Sequence, residues 1–149
     1  MPHSARLRAG RFSEAQRIYL LTATTESRET LFSDFTVGRL VVAELKAAQQ
    51  EALVESLAWV LMPDHLHWLI ALQHGSLSEL MRRIKGRSAK RVNALYGRQG
   101  KLWQDGFHDR ALRREEDVLP AARYIVANPL RAGLVNRVGD YPLWDSVWL

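Results

Sequence analysis

The sequence predicts an α+β fold: a ferredoxin-like split βαβ antiparallel sheet with helices on one face and an added C-terminal helix that carries Tyr124. Three observations predict it. Apolar residues alternate between strand-like and helix-like spacing in the order strand, helix, strand, strand, helix, strand. Two apolar runs, Val54 to Met62 and His65 to Gln73, are separated only by Pro63-Asp64, a tight-turn signal. Capping residues, Asp34 and Ser76, stand just ahead of both helical stretches.

Taken in order, Arg17 to Glu26 (RIYLLTATTE) is rich in β-branched and aromatic residues and reads as the first strand. Asp34 then caps a helix to about Ala52, in which Val37, Leu40, Val41, Leu45 and Ala48 recur on one face. The hairpin through Pro63-Asp64 follows. Ser76 opens a second helix, Leu77 to about Tyr96, with Glu79 at the capping-box position; Leu80, Ile84, Ala89 and Val92 pack down and leave the basic residues outward. Leu102 to Leu112 is expected as a fourth strand interrupted by Gly106. Glu115, Glu116 and Asp117 suit the N-terminus of a last helix, which runs to Asn128 where Pro129 stops it.

No repeat, low-complexity linker or composition shift divides the chain, so residues 1–149 are read as one domain with a core of ordinary size. Cysteine is absent, which excludes disulfides and thiolate metal sites; any metal must sit on nitrogen and oxygen ligands, which favours Mg, Mn or Zn. No apolar run approaches a membrane span, and Met1 to Phe12 lacks the apolar core of a signal peptide, so a cytoplasmic protein is expected. The net charge of +5 favours a polyanionic partner. Distribution says more than the total: Arg82, Arg83, Lys85, Arg87, Lys90 and Arg91 fall in ten residues with no acidic neighbour, which predicts a phosphate-binding surface.

His65 and His67 are two apart in a strand and so project together, while Leu66, Trp68 and Ile70 project to the other face. Two adjacent imidazoles are half of a metal site, although H-x-H alone is a weak motif. Tyr124 and Asn128 are four apart in the last helix and share a face. If that face lies across the sheet from the histidines, His65, His67 and Asn128 surround a divalent ion with Tyr124 beside it as a nucleophile. On residue types alone the competing reading is the stronger one, with Tyr124 an amphipathic-helix core residue and Asn128 merely the end of a helix.

Three blocks change that balance. Leu61-Met62-Pro63-Asp64-His65-Leu66-His67-Trp68-Leu69-Ile70, then Leu102-Trp103-Gln104-Asp105-Gly106-Phe107-His108-Asp109-Arg110, then Tyr124-Ile125-Val126-Ala127-Asn128-Pro129-Leu130-Arg131-Ala132-Gly133-Leu134-Val135 resemble the signature blocks of the single-tyrosine HUH transposases. More narrowly, they resemble the REP-associated tyrosine transposases related to the IS200/IS605 group. The resemblance spans nearly the whole chain. It implies that His65 and His67 are metal ligands, Asn128 is the third ligand (Gln in some relatives) and Tyr124 is the attacking residue. The family commonly has Asn where this chain has Asp64, a departure that bears on metal affinity and preference. Members of that family act on hairpins formed by extragenic palindromes in single-stranded DNA.

The expectation is therefore an Mg2+- or Mn2+-dependent single-stranded DNA endonuclease and strand transferase. It cuts beside hairpins through a 5′-phosphotyrosine, works as a monomer or homodimer, and has no membrane partner. Arg131 is an expected phosphate contact and His108 a possible helper within the second block; His3 and His74 are surface residues, and Trp144 and Trp148 pack the tail onto the domain. Two rivals remain at this point. A non-catalytic binding module of RRM-like topology would share the sheet but leave Tyr124 and Asn128 unexplained. A small metallohydrolase using His65, His67 and activated water would form no covalent protein–DNA adduct.

Overall fold

Asp34 accepts hydrogen bonds from the amides of Thr36 and Val37, and Ser76 with Glu79 completes a reciprocal capping box. Both main helices therefore start where their caps stand. The computed structural model describes residues 17–113 and 117–148. It comprises β1 (Ile18–Thr24), α1 (Phe35–Gln50), β2 (Val54–Met62), β3 (His65–Leu72), α2 (Leu77–Tyr96), β4 (His108–Leu112), α3 (Val118–Val126), a short α4 (Asn128–Arg131) and β5 (Trp144–Ser146). The strands form one sheet in the order β4-β1-β3-β2-β5, antiparallel throughout. The first four strands have the arrangement expected of a split βαβ fold, and β5 adds an edge beside β2.

The sheet separates two apolar layers. On one face Leu21, Trp59, Leu61, Leu66, Trp68 and Ile70 pack under α1 and α2 against Val41, Leu45, Leu80, Met81 and Ile84. On the other, Ile18, Ala58, Val60, Leu69 and Leu112 pack under α3 against Val118, Ala121, Ala122 and Ile125. A register shift between Ser56 and Ala58 makes this possible: it places Leu57 and Ala58 together on the α3 side, after which alternation resumes with Trp59 on the other side.

Several expectations are corrected. The fourth strand is shorter than Leu102 to Leu112: only His108–Leu112 pairs along β1, and the segment before it reaches the sheet through a single bridge between Thr25 and Trp103. Gly106, at φ 75, turns the chain there. The last helix ends at Val126 rather than Asn128. Pro129 does not stop the chain; it sits in the first turn of α4, where a missing N–H costs no hydrogen bond. Glu115, Glu116 and His3 lie outside the described residues. Ser88, not singled out from the sequence, is buried on α2 because its hydroxyl accepts from Trp103 Nε1 and donates to the Ile84 carbonyl. Trp144 and Trp148 pack against the α3-side core. No helix among the described residues is long and apolar enough to cross a membrane.

Candidate active site

The β2–β3 turn is fixed from outside. Phe32 N donates to the Pro63 carbonyl at 3.0 Å and Thr25 N to the Asp64 carbonyl at 2.9 Å, so both turn carbonyls are satisfied by the chain leaving β1. This anchors the residue that follows, His65. Pairing puts His65 opposite Thr24 and His67 opposite Thr22 on β1, with Met62 and Val60 on their β2 side, all on the α3 face of the sheet. The two imidazoles lie 4.8 Å apart, centre to centre, nearly perpendicular.

Each ring is held at the same atom. His65 Nδ1 donates to Asp64 Oδ1 at 2.8 Å, and His67 Nδ1 is hydrogen-bonded with Thr22 Oγ1 at 2.9 Å. Anchoring of Nδ1 by outer partners leaves Nε2 of both rings for a ligand, the arrangement metal-binding histidines use. Burial, together with the charges of His65 and Arg131, lowers the pKa of His67 from 6.5 to about 4, so its imidazole is neutral at physiological pH. Asp64 also receives a hydrogen bond from Arg28 Nε at 3.1 Å. Burial pushes the Asp64 carboxyl up, but the hydrogen bonds with His65 and Arg28 outweigh it and hold the group below its ordinary value. Arg28 reaches it from a turn in which both Ser27 and Arg28 have left-handed backbone, at φ 55 and 52.

α3 is fastened over this face by Val118, Ala121, Ala122 and Ile125, and Tyr124 projects from it with 55% of its surface exposed. The amphipathic-core reading of Tyr124 is therefore incorrect. The Arg131 guanidinium carbon sits 3.7 Å from the centre of the Tyr124 ring, and its Nη2 donates to the Tyr124 carbonyl at 2.6 Å. The same charge acts on His67, which puts Tyr124, Arg131 and the histidine pair in one neighbourhood. Asn128 opens α4, half-buried, with Ala127 keeping a helical backbone between it and Tyr124. Among the described residues no hydrogen bond ties its amide to either histidine, and no group of three His, Cys, Asp or Glu side chains converges. The donors that suit a divalent ion are thus the Nε2 atoms of two imidazoles, with a side-chain amide as the available oxygen.

The basic run on α2 lies on the opposite face of the sheet from the histidines, and it does not form one outward surface. Arg83, Arg87 and Arg91, spaced four apart, turn toward α1: Arg83 pairs with Glu51, while Arg91 and Arg87 approach Glu44 at 3.3 and 4.0 Å. Lys85 Nζ donates to the carbonyls of Gln104 and Gly106. Arg82 and Lys90 remain exposed without an ion pair among the described residues. The acidic partners are invisible in the local sequence because Glu44 stands on another helix and Glu51 just past its end. Thr22 and Arg28 were likewise missed, as were the hydrogen bonds by which Asp64, weighed from the sequence only for its bearing on metal affinity and preference, joins His65 to Arg28. Only Asp64 had a local signal, its position beside His65.

Residues 14–128 match the family model described as Transposase IS200 like. The chain is 33% identical over 87 residues to the REP-associated tyrosine transposase of Escherichia coli K12, an alignment covering 57% of this chain and 50% of that protein. It therefore spans about half the length of that relative. A REP-associated tyrosine transposase solved bound to a REP hairpin superposes with a TM-score of 0.73 at 24% identity, covering 87% of this chain and 76% of the other. A protein from Deinococcus radiodurans R1 assigned as a transposase gives 0.56 at 24% identity, with coverage of 72% and 87%. These two structures establish the fold; the match across most of the sequence establishes that the chain belongs to the IS200-like transposase family.

Proposed function

We propose that this protein is a metal-dependent, single-stranded DNA endonuclease and strand transferase that cuts beside hairpins, with residues 1–149 acting as one domain. The observation that carries this reading is the juxtaposition of an exposed Tyr124, its stacked Arg131 and two histidines whose Nε2 atoms are left open. His65, His67 and Asn128 would hold the divalent ion, Mg2+ or Mn2+. When bound, that ion polarises the scissile phosphate and fixes its orientation.

The remaining work belongs to the chain. Tyr124 Oη attacks phosphorus; a P–O bond to tyrosine forms, the P–O3′ bond breaks, and the departing 3′ oxygen takes up a proton as the phenol loses its own. The product is a 5′-phosphotyrosine and a free 3′-hydroxyl. Attack by a second 3′-hydroxyl on that link rejoins DNA and returns the phenol, so no nucleotide cofactor is needed to drive rejoining. Arg131 places a cation against the nucleophile and the phosphate it attacks. The hairpin stem lies along α2. Arg82 and Lys90 offer charges without an ion pair among the described residues there, and the side chains of Arg87 and Arg91 are 53% and 49% exposed, whereas Arg83 and Lys85 are held by Glu51 and by the Gln104 and Gly106 carbonyls.

The test is incubation with hairpin-bearing single strands and Mg2+ or Mn2+, followed by a denaturing gel. A covalent protein–DNA band is expected with the parent protein. None is expected with His67→Ala, which should keep its fold because it alters a half-buried residue at the sheet end. Cleavage without any adduct would instead point to a water-using metallohydrolase.

A further inference from the structure

Beside Tyr124 a groove of about 730 Å3 runs between β4 and α3, lined by Leu20, Arg110, Arg113, Pro120, Ala121 and Tyr124, with Asp117 at its α3 end. Strand pairing sets its position. Thr22 faces His108, and Leu20 faces Arg110, on the side of the sheet that carries His67. Arg110 is therefore one row along from the row that holds His67, Thr22 and His108. Arg110 and Arg113 are exposed and form no ion pair among the described residues, unlike Arg83, Arg87 and Arg91 on α2. The groove thus combines two uncommitted guanidinium groups, an apolar wall of Leu20, Pro120 and Ala121, and the proposed nucleophile at its edge.

We propose that this groove takes the unpaired DNA strand running from the scissile phosphate, with Arg110 and Arg113 on its backbone and the apolar wall against a base. The inference rests on the reading of Tyr124 as the attacking residue. Charge selects the occupant: a phosphodiester chain supplies regularly spaced anions, and grooves that bind single strands pair such cations with surfaces on which bases rest. Topology supports the same path. β4 is the edge strand of the sheet, and the segment leading into it, Lys101 to Phe107, flanks Arg82 on α2. A stem on α2 can therefore pass its unpaired strand over the β4 edge to the histidine face without crossing the sheet.

The test measures binding of a bare hairpin, and of the same hairpin with unpaired extensions on both ends, across a range of salt concentrations. For the parent protein the extensions should steepen the dependence of log K on log salt by about 1.4, from roughly 0.7 per single-strand phosphate neutralised at each of two arginines. Arg110→Gln with Arg113→Gln should remove that increment, leave bare-hairpin binding unchanged and melt like the parent. The proposal is overturned if extensions add nothing in the parent, or if the double variant keeps the full increment. Should the bare hairpin fail to bind, the hairpin reading falls by itself. The slope measured with an unpaired strand alone then decides the groove: a loss of about 1.4 in the double variant supports it, and an unchanged slope rejects it.

Discussion

Arg131 lies over Tyr124, its guanidinium carbon 3.7 Å from the ring centre while Nη2 donates to the Tyr124 carbonyl at 2.6 Å. One side chain thus grips both the ring and the backbone of the proposed nucleophile across the α3–α4 junction. A lysine keeps the charge but not the planar fork. Arg131→Ala is expected to slow adduct formation by on the order of a hundredfold, the scale of a misplaced reacting group. Arg131→Lys should recover only part of that rate, and the attachment point should stay at Tyr124. Equal rates in all three proteins, measured at saturating DNA, would remove Arg131 from any positioning role.

Asp64 joins His65 to Arg28 through its two carboxylate oxygens, at 2.8 and 3.1 Å. Removing a carboxylate that orients a metal-binding imidazole typically costs about ten- to a hundredfold in metal affinity. Asp64→Ala is expected to weaken Mn2+ binding within that range by calorimetry, whereas Asp64→Asn retains an acceptor for His65 and should lose less. Identical affinities for both variants and the parent would mean that the pair serves only to fasten the turn.

The legibility of this chain follows the range of its interactions. The placement of His65 and His67 on one face needed only strand alternation, and the caps at Asp34 and Ser76 act within a single turn; both are local and were readable. Thr22 supports His67 through a register spanning 45 residues, which no local pattern specifies. The bulge at Leu57 is hidden because it inserts one apolar residue into an apolar run, leaving no break in composition. Arginines 83, 87 and 91 read as a free anion-binding strip because Glu44 is on α1 and Glu51 just past its C-terminal end. Pro129 was misread as a stop because the same residue is favourable at a helix start.

The basic helix can be tested through its uncommitted members. Neutralising Arg82 and Lys90 to Gln should flatten the salt dependence of hairpin binding by up to about 1.8, from about 0.9 per duplex phosphate contact. Arg87→Gln should have a smaller effect, since its charge is shared with Glu44. An unchanged slope in the Arg82 and Lys90 variant would leave α2 as a solvated helix braced against α1.

Tyr141 donates to the Leu61 carbonyl at 2.6 Å, joining the segment before β5 to β2, and burial raises its pKa from 10.0 to about 12. A folded-state value above the unfolded one favours the fold fully below pH 10, and that contribution is lost as pH rises toward 12. The parent's thermal midpoint should therefore fall across this window. Tyr141→Phe, less stable at neutral pH for want of the hydrogen bond, should show a shallower decline. Parallel alkaline profiles would show that Tyr141 does not contribute to the loss.

Tyr124→Phe tests the nucleophile with the least disturbance elsewhere. The side chain is exposed, and the change removes one oxygen while keeping the ring under Arg131, so folding and the stacked contact should persist. Hairpin and Mn2+ binding should remain close to parental values, while the covalent adduct and the cut product disappear because no phenol is left to attack phosphorus. The other tyrosines are poorly suited to replace it. Tyr141 is committed to the Leu61 carbonyl, Tyr19 packs with the core on the α1 and α2 side, and Tyr96 ends α2. Mass mapping of the adduct decides the matter: a phosphopeptide containing any tyrosine but Tyr124, or an adduct that survives in Tyr124→Phe, places the chemistry elsewhere on the molecule.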